Sequence, residues 1–409
     1  MKSKYYFTLF LLTFSVLFQG LIVSITKYLF PSVSFSVGVI LSYMIYPFVI
    51  YYHLKELPFK VNGLRFLFVN VIVLLIIALI GKSFIQNEQI QMSSLFRIIN
   101  YTFPLLFFVF VCNVCDKSKI IKYIDVFITI TICYSLLQTT LHPYLPDAFI
   151  SPPLVAGVSA HGTVYIDDSL FYKPNGLIGN PLEFATFLVL SLLFKLFIYK
   201  KDSNKLLFNV ILINFSNFLL FSRISLVIIF LITFYYVVFL ARNKSRIIML
   251  LLVVLIFALV PSDVYISSIT FFLDRFLGDA STGSNEAHID GFNYVISLLA
   301  HNPIVGVGIN STIVDQSLIT DGFWWKVALE FGLPLFVLFF FLLFLLPCLL
   351  AFSKLDMREY SIMILLVISV FVICLVNSSL FNKCNYMLFW FLYGVVYFCP
   401  ERNGINTRC

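Results

Sequence analysis

Charge is scarce in this sequence. Asp, Glu, Lys and Arg together make up 11% of its 409 residues, whereas 61% are hydrophobic and the mean hydropathy is +0.99. A water-soluble domain carries roughly a quarter of its residues charged, so this chain lacks the polar material to face water on every side. The net charge of +7 does not point to nucleic acid either. The basic residues stand in short clusters between apolar runs, which is the pattern of cytoplasmic loops. Nucleotide signatures are missing too: no Walker lysine, no GxGxxG after a strand, no DxD pair on the cytoplasmic side. The GVG at 306–308 is short and reads as a turn. These absences exclude ATP-driven and nucleotide-sugar chemistry, and no cofactor is expected.

The 8 cysteines give no disulfide framework, because the topology below places only Cys384 near the outer face. Cys112 and Cys115 have CxxC spacing without a second pair or a nearby His. They read as packed thiols at a helix end rather than a metal or redox site.

Long apolar runs fill the space that charge leaves, each near the roughly 20 residues that cross a bilayer. The expected spans are 6–26, 33–52, 66–81, 98–115, 121–139, 181–199, 206–221, 224–241, 247–260, 333–352, 361–380 and 386–399. The fold class is therefore an all-α integral membrane protein of about twelve transmembrane helices. Phe and Tyr are frequent, as expected of lipid-facing surfaces and interface belts. Lys2 and Lys4 precede the first run, and no clean small-residue cleavage site follows it, so it reads as an uncleaved signal anchor.

Lys and Arg set the orientation. With the N-terminus inside, the inner segments hold Lys55, Lys60, Arg65, Lys117, Lys119, Lys122, Lys200, Lys201, Lys205, Arg242, Lys244, Arg246, Lys354 and Arg358, along with the basic residues of both termini. The outer segments hold Lys27, Lys82, Arg97, Lys173, Arg223, Arg275, Lys326 and Lys383. An excess of about two to one inside puts both termini in the cytoplasm. Two loops are long, 140–180 and 261–332, and both fall outside. The chain reads as a single polytopic membrane domain, 1–409, that works on its outer, non-cytoplasmic face.

In the first long loop, Pro and Gly break regular structure. In the second, Ile289 to Leu299 has helical spacing. The stretch DGFWWKVALEFG reads as a short amphipathic helix stopped by Gly332, with Trp324 and Trp325 at the membrane surface.

Isolated cations on an outer face invite an anionic ligand. Arg223, in FSRIS between two apolar runs, is costly to bury and is either paired or functional. Its planar fork suits phosphate oxygens; the plainer reading is a snorkelling Arg at a helix end. Arg275 has Asp274 and Asp279 nearby and reads equally as a surface ion pair. Arg97 reads as an interface anchor or a second cation. His288 has Glu286 and Asp290 beside it, an arrangement that can accept a proton near neutral pH, although a surface His in a polar loop is ordinarily idle. His301 reads as a cap on the turn, and His142 and His161 have no supporting neighbours.

In order, the segments GLIGNPLEFATFL, FSRISLVIIFL, GSNEAHIDGFNYVISLLAHNPIVGVGIN and TDGFWWKVALEFGLPLFVLFFFLL resemble the O-antigen polymerase and ligase superfamily (Wzy and WaaL types). The similarity is best from about 175 to 345; the earlier half matches only as a string of spans. The resemblance implies a GT-C-like, metal-independent membrane glycosyltransferase. Its substrate would be an undecaprenyl-pyrophosphate-linked oligosaccharide at the periplasmic face, with membrane lipid and a chain-length regulator protein as further partners. It implies that Arg223 binds pyrophosphate and that Arg275 supplies a second cation. His288 would stand where many members have Arg, and Asp321 where ligases have His. Either could serve as the base, and Asp321 could instead cap the helix that follows it. Asn180 and Glu183 match a family turn. Three functions remain open: polymerase, ligase, and a lipid-glycan flippase or transporter.

Overall fold

The computed structural model of the protein describes residues 29–30, 117–141, 144, 163–166, 169–178, 180–199, 203–220, 222–259, 279–308, 322–341, 356–377, 379–381 and 383–397. The first four expected spans lie outside these residues. Helices dominate what is described. They are α1 (Lys117–Leu141), α2 (Pro181–Ile198), α3 (Asn204–Phe218), α4 (Arg223–Tyr235, continued by a π-helical turn over Tyr236–Leu240), α5 (Asn243–Leu259), α6 (Asp279–His301), α7 (Phe323–Phe340), α8 (Met357–Val376) and α9 (Lys383–Tyr397). Among the described residues, five segments are long and apolar enough to cross a membrane: Ile121–Leu141, Pro181–Ile198, Arg223–Leu240, Phe323–Phe340 and Met357–Val376. The protein is thus a helical, membrane-embedded one. At 15 residues, α3 is about 22 Å long and too short to cross unaided.

The centre of the bundle is α2. Asn180 caps it, with the side-chain oxygen accepting from the Leu182 N–H at 2.8 Å, and Pro181 occupies the first helical position. Proline is suited to that position because its missing N–H has no partner to lose there. Every residue from Phe184 to Leu196 is buried. A helix apolar all round must be enclosed by other helices, and α1, α3, α4, α8 and α9 all pack on α2. The core includes Phe187, Phe194, Tyr386 and Trp390, each under 2% exposed. The opposite surface of α3–α5 is apolar but exposed, as at Phe215, Phe230 and Phe239, which is the signature of helices facing lipid.

Hydrogen bonds fix the directions of the helices. Late in α1, Gln138 reaches the loop before α2; early in α1, Asp125 reaches Lys195 near the end of α2. These helices are therefore antiparallel. Arg358 at the start of α8 donates to Leu196 and Tyr199 carbonyls at the end of α2, while Ser379 just beyond α8 meets Thr186 at its beginning. Thus α8 is also antiparallel to α2. α3 and α4 are tied by a reciprocal pair: the Asn214 amide donates to Thr233 Oγ1 at 2.9 Å, and the Thr233 hydroxyl donates back at 3.2 Å.

The long loops carry more order than their composition suggests. Residues 163–172 include an antiparallel hairpin, β1 (Thr163–Ile166) with β2 (Ser169–Tyr172), in which Thr163 pairs with Tyr172 and Ile166 with Ser169. The expected helix at 289–299 is part of the much longer α6. The break at Gly332 is present, with φ 77° and ψ 171°, but the helix resumes at once with Leu333 and Pro334. Trp324 is buried rather than a surface anchor, and Trp325 is partly buried. Trp324 is 2% exposed, its indole N–H donates to the Phe371 carbonyl at 3.4 Å, and that of Trp325 to the Leu375 carbonyl at 3.1 Å. An indole N–H needs an acceptor when buried, and the end of α8 supplies both.

Candidate functional site

One end of the bundle gathers the start of α2, the end of α8, the start of α9 and the start of α7. The start of α4 joins them. α3 begins beside Asp125 through Lys205, so its other end, and Arg223 five residues past Phe218, lie at this same end. Amides and hydroxyls knit it together. Gln138 accepts from the Gly176 N–H at 2.8 Å and the Asn175 N–H at 3.2 Å, and donates to Asn175 Oδ1 at 2.7 Å. Gly176 adopts φ +56°, and a Cβ there would crowd Phe184 and Thr131. Ser379 bridges Thr186 and Asn377 by hydroxyl contacts. The Asn385 amide donates to the Glu183 carbonyl at 2.8 Å and the Ser379 carbonyl at 2.9 Å.

Arg223 differs from its surroundings. It is half-buried at the first position of α4, and its guanidinium has no hydrogen-bond or ion-pair partner among the described residues. Ser222 provides no side-chain cap for the helix, and its carbonyl accepts from the Ser225 hydroxyl at 3.2 Å. A guanidinium without a partner among the described residues, beside uncapped N–H groups, is a local concentration of positive charge. Asn217, at the end of α3, is 1% exposed, and its side-chain oxygen has no partner. Such an oxygen suits a hydroxyl donor.

The other expected residues fall elsewhere. Position 288 is not in a loop but within α6. Glu286 and Asp290 on the same helix are exposed. No described hydrogen bond or ion pair joins α4 to α6. His301 ends α6 with Nδ1 2.7 Å from the Ser297 carbonyl, consistent with a cap. Asn180 and Glu183 occupy the cap and first turn of α2. Arg275, Asp321, Arg97, His142, His161, Cys112 and Cys115 lie outside the described residues.

At the opposite end is a charged cluster that composition does not announce. Lys195 has no exposure. Its ammonium donates to Asp125 Oδ1 at 2.5 Å, the Asp125 carbonyl at 3.2 Å and Thr129 Oγ1 at 3.0 Å. Three oxygens satisfy its three protons. Asp125 Oδ2 accepts from the Tyr199 hydroxyl at 2.9 Å and from Lys205 at 3.4 Å. Burial raises the Tyr199 phenol above its ordinary range, which keeps it a donor. Asp125 and Lys195 fall inside predicted spans and so belong to neither loop set. Their shared depth was the available signal: one turn from the same side of the bundle in adjacent described helices.

The turn beyond α6 is tied to α7 by backbone hydrogen bonds. Beyond α6, the Val307 N–H donates to the Leu329 carbonyl at 2.8 Å, Gly308 to Glu330 at 3.2 Å, and Leu333 to the Pro303 carbonyl at 2.9 Å. Gly306 and Gly332 both take positive φ, and a Cβ on either would strike the other segment's backbone. The turn expected at 306–308 lies instead at Pro303–Val305, and Gly306 to Gly308, just after it, dock on the break in α7.

Comparison with protein-family models, with curated proteins and with solved structures finds no match to this chain.

Proposed function

We propose that this protein is a surface-polysaccharide polymerase of the O-antigen type. The proposal comprises the full twelve-span, GT-C-like architecture, placement in a bacterial inner membrane and cytoplasmic termini. An acceptor sugar hydroxyl attacks the anomeric carbon of the growing glycan, the glycosyl–phosphate bond breaks, and undecaprenyl pyrophosphate leaves with the electron pair. The hydroxyl proton passes to a base, for which His288 and Asp321 are the candidates. Cations stabilise the leaving pyrophosphate, with Arg223 as the principal one and Arg275 as the second.

The observation that carries this reading is the guanidinium of Arg223, without a partner among the described residues, at the uncapped start of α4, at the end of the bundle that the basic-residue bias assigns to the outside. A carrier would instead use ionisable groups within its spans. The Asp125–Lys195 pair is such a group, but its ammonium is fully coordinated by protein oxygens, as befits a brace.

The test is the glycan ladder of cells lacking the gene, complemented with wild type or Arg223→Ala. The variant is expected to lower polymer by about 100-fold, leaving a single repeat unit on lipid A-core. Loss of all attached glycan with long chains on the lipid carrier would make the protein a ligase. An unchanged ladder in the deletion strain would remove glycosyl transfer and favour a carrier.

A further inference from the structure

Exposed apolar residues carry information when they form a continuous patch, and α6 bears one. Its docked face presents Val295, with Phe292, Tyr294, Leu298 and Leu299 partly buried, against Leu329 and Trp325 of α7. The Phe292 and Trp325 rings meet edge-on at 4.6 Å. The remainder is not uniformly polar. Ile289 is 58% exposed and Ile296 is 47% exposed, two helical turns apart on one face. The stripe runs off the helix end into Ile304, 72% exposed, and Val305, 43% exposed.

The isoleucine and valine are held out rather than left loose. The Gly306 N–H donates to the Asn302 carbonyl at 2.9 Å, closing the turn, and the Leu333–Pro303 bond fixes it to α7. That bond sets the turn beside Leu333, which with Val337 forms an exposed apolar face on the second half of α7, a segment long and apolar enough to cross a membrane. In a span such a face meets lipid. The stripe on α6 is therefore continuous with a lipid-facing surface.

We propose that α6 and the turn after it rest on the membrane that α7 crosses. Ile304 and Val305 enter the boundary between headgroups and acyl chains, and the exposed Glu286, Asp290, Ser297 and His301 face water. A helix with an apolar stripe beside a polar face suits this depth. The partner is the lipid surface itself. The inference depends only on the protein being membrane-embedded and is independent of any glycosyltransferase activity.

A fluorescent, polarity-sensitive amino acid introduced at position 304 by codon suppression tests this without touching native thiols. The full chain is reconstituted into phosphatidylethanolamine–phosphatidylglycerol vesicles with or without lipid carrying a shallow nitroxide. Emission from position 304 should be blue-shifted and quenched about twofold by the nitroxide lipid, while the same probe at position 290 should respond to aqueous iodide instead. Iodide quenching at 304 with water-like emission would overturn the proposal. So would blue-shifted emission insensitive to the nitroxide, which would mean that protein covers the turn, either another segment or a second copy.

Discussion

The two ends of the bundle close helix termini over the same apolar interior with different chemistry. One end uses charge. Asp125 lies among Lys195, Tyr199 and Lys205, and guanidiniums complete the helix ends: Arg358 on the α2 carbonyls, and Arg246 on the Val237 and Val238 carbonyls at 2.9 and 2.7 Å. The other end uses amides and hydroxyls from Gln138, Asn175, Thr186, Asn377, Ser379 and Asn385. At the first end, Lys195, Arg246 and Arg358 are taken up by acceptors of the protein itself. At the second, the neutral contacts close among themselves, and Arg223 keeps a guanidinium with no partner among the described residues. A cation is available to a ligand where its neighbours do not need it.

This contrast can be broken most severely at the charged end. Asp125→Leu would leave a buried ammonium without its counter-ion and should cost about 3–5 kcal/mol, read as a large fall in melting temperature and folded yield in detergent. Adding Lys195→Met to it should recover most of the loss, because removing both charges leaves nothing unpaired. A double variant as unstable as the single would show that the pair is not the unit. The neutral end should respond less sharply. Gln138→Leu strands the Asn175 and Gly176 N–H groups and should cost about 1–3 kcal/mol, with faster chymotryptic cleavage after Tyr172. Thr186→Val removes one hydroxyl contact to Ser379 at similar volume, and about 1 kcal/mol in the melting curve is expected. Lys205→Met should change stability least, by less than about 0.5 kcal/mol, because its side chain is 65% exposed and Lys195 retains its oxygens without it.

The sequence made the helices far more legible than their partners. The span expected at 181–199 is Pro181–Ile198, and that expected at 224–241 is Arg223–Leu240, because apolar run length and a polar residue at the boundary are both local signals. The span expected at 361–380 begins four residues early, since Asp356 accepts from the Glu359 N–H at 2.8 Å and starts the helix there. The residues that bind helix to helix are another matter. Asp125 and Lys195 are 70 residues apart, and neither carries a mark that names the other. Arg223 stood out because its isolation is itself local. The burial of Trp324 did not stand out, because membrane-surface indoles and indoles packed against another helix look alike in a string of letters.

The docking of the 303–308 turn on α7 involves no side-chain atom in its three bonds. Such a joint is blind to what the neighbouring residues are, so the surface of α6 can be rewritten while the helix keeps its address. Alanine scanning would pass over these three bonds, and the atoms that alanine adds at Gly306 and Gly332 would reveal them. A family of such proteins could diversify what it recognises along α6 without ever relearning where to hold it.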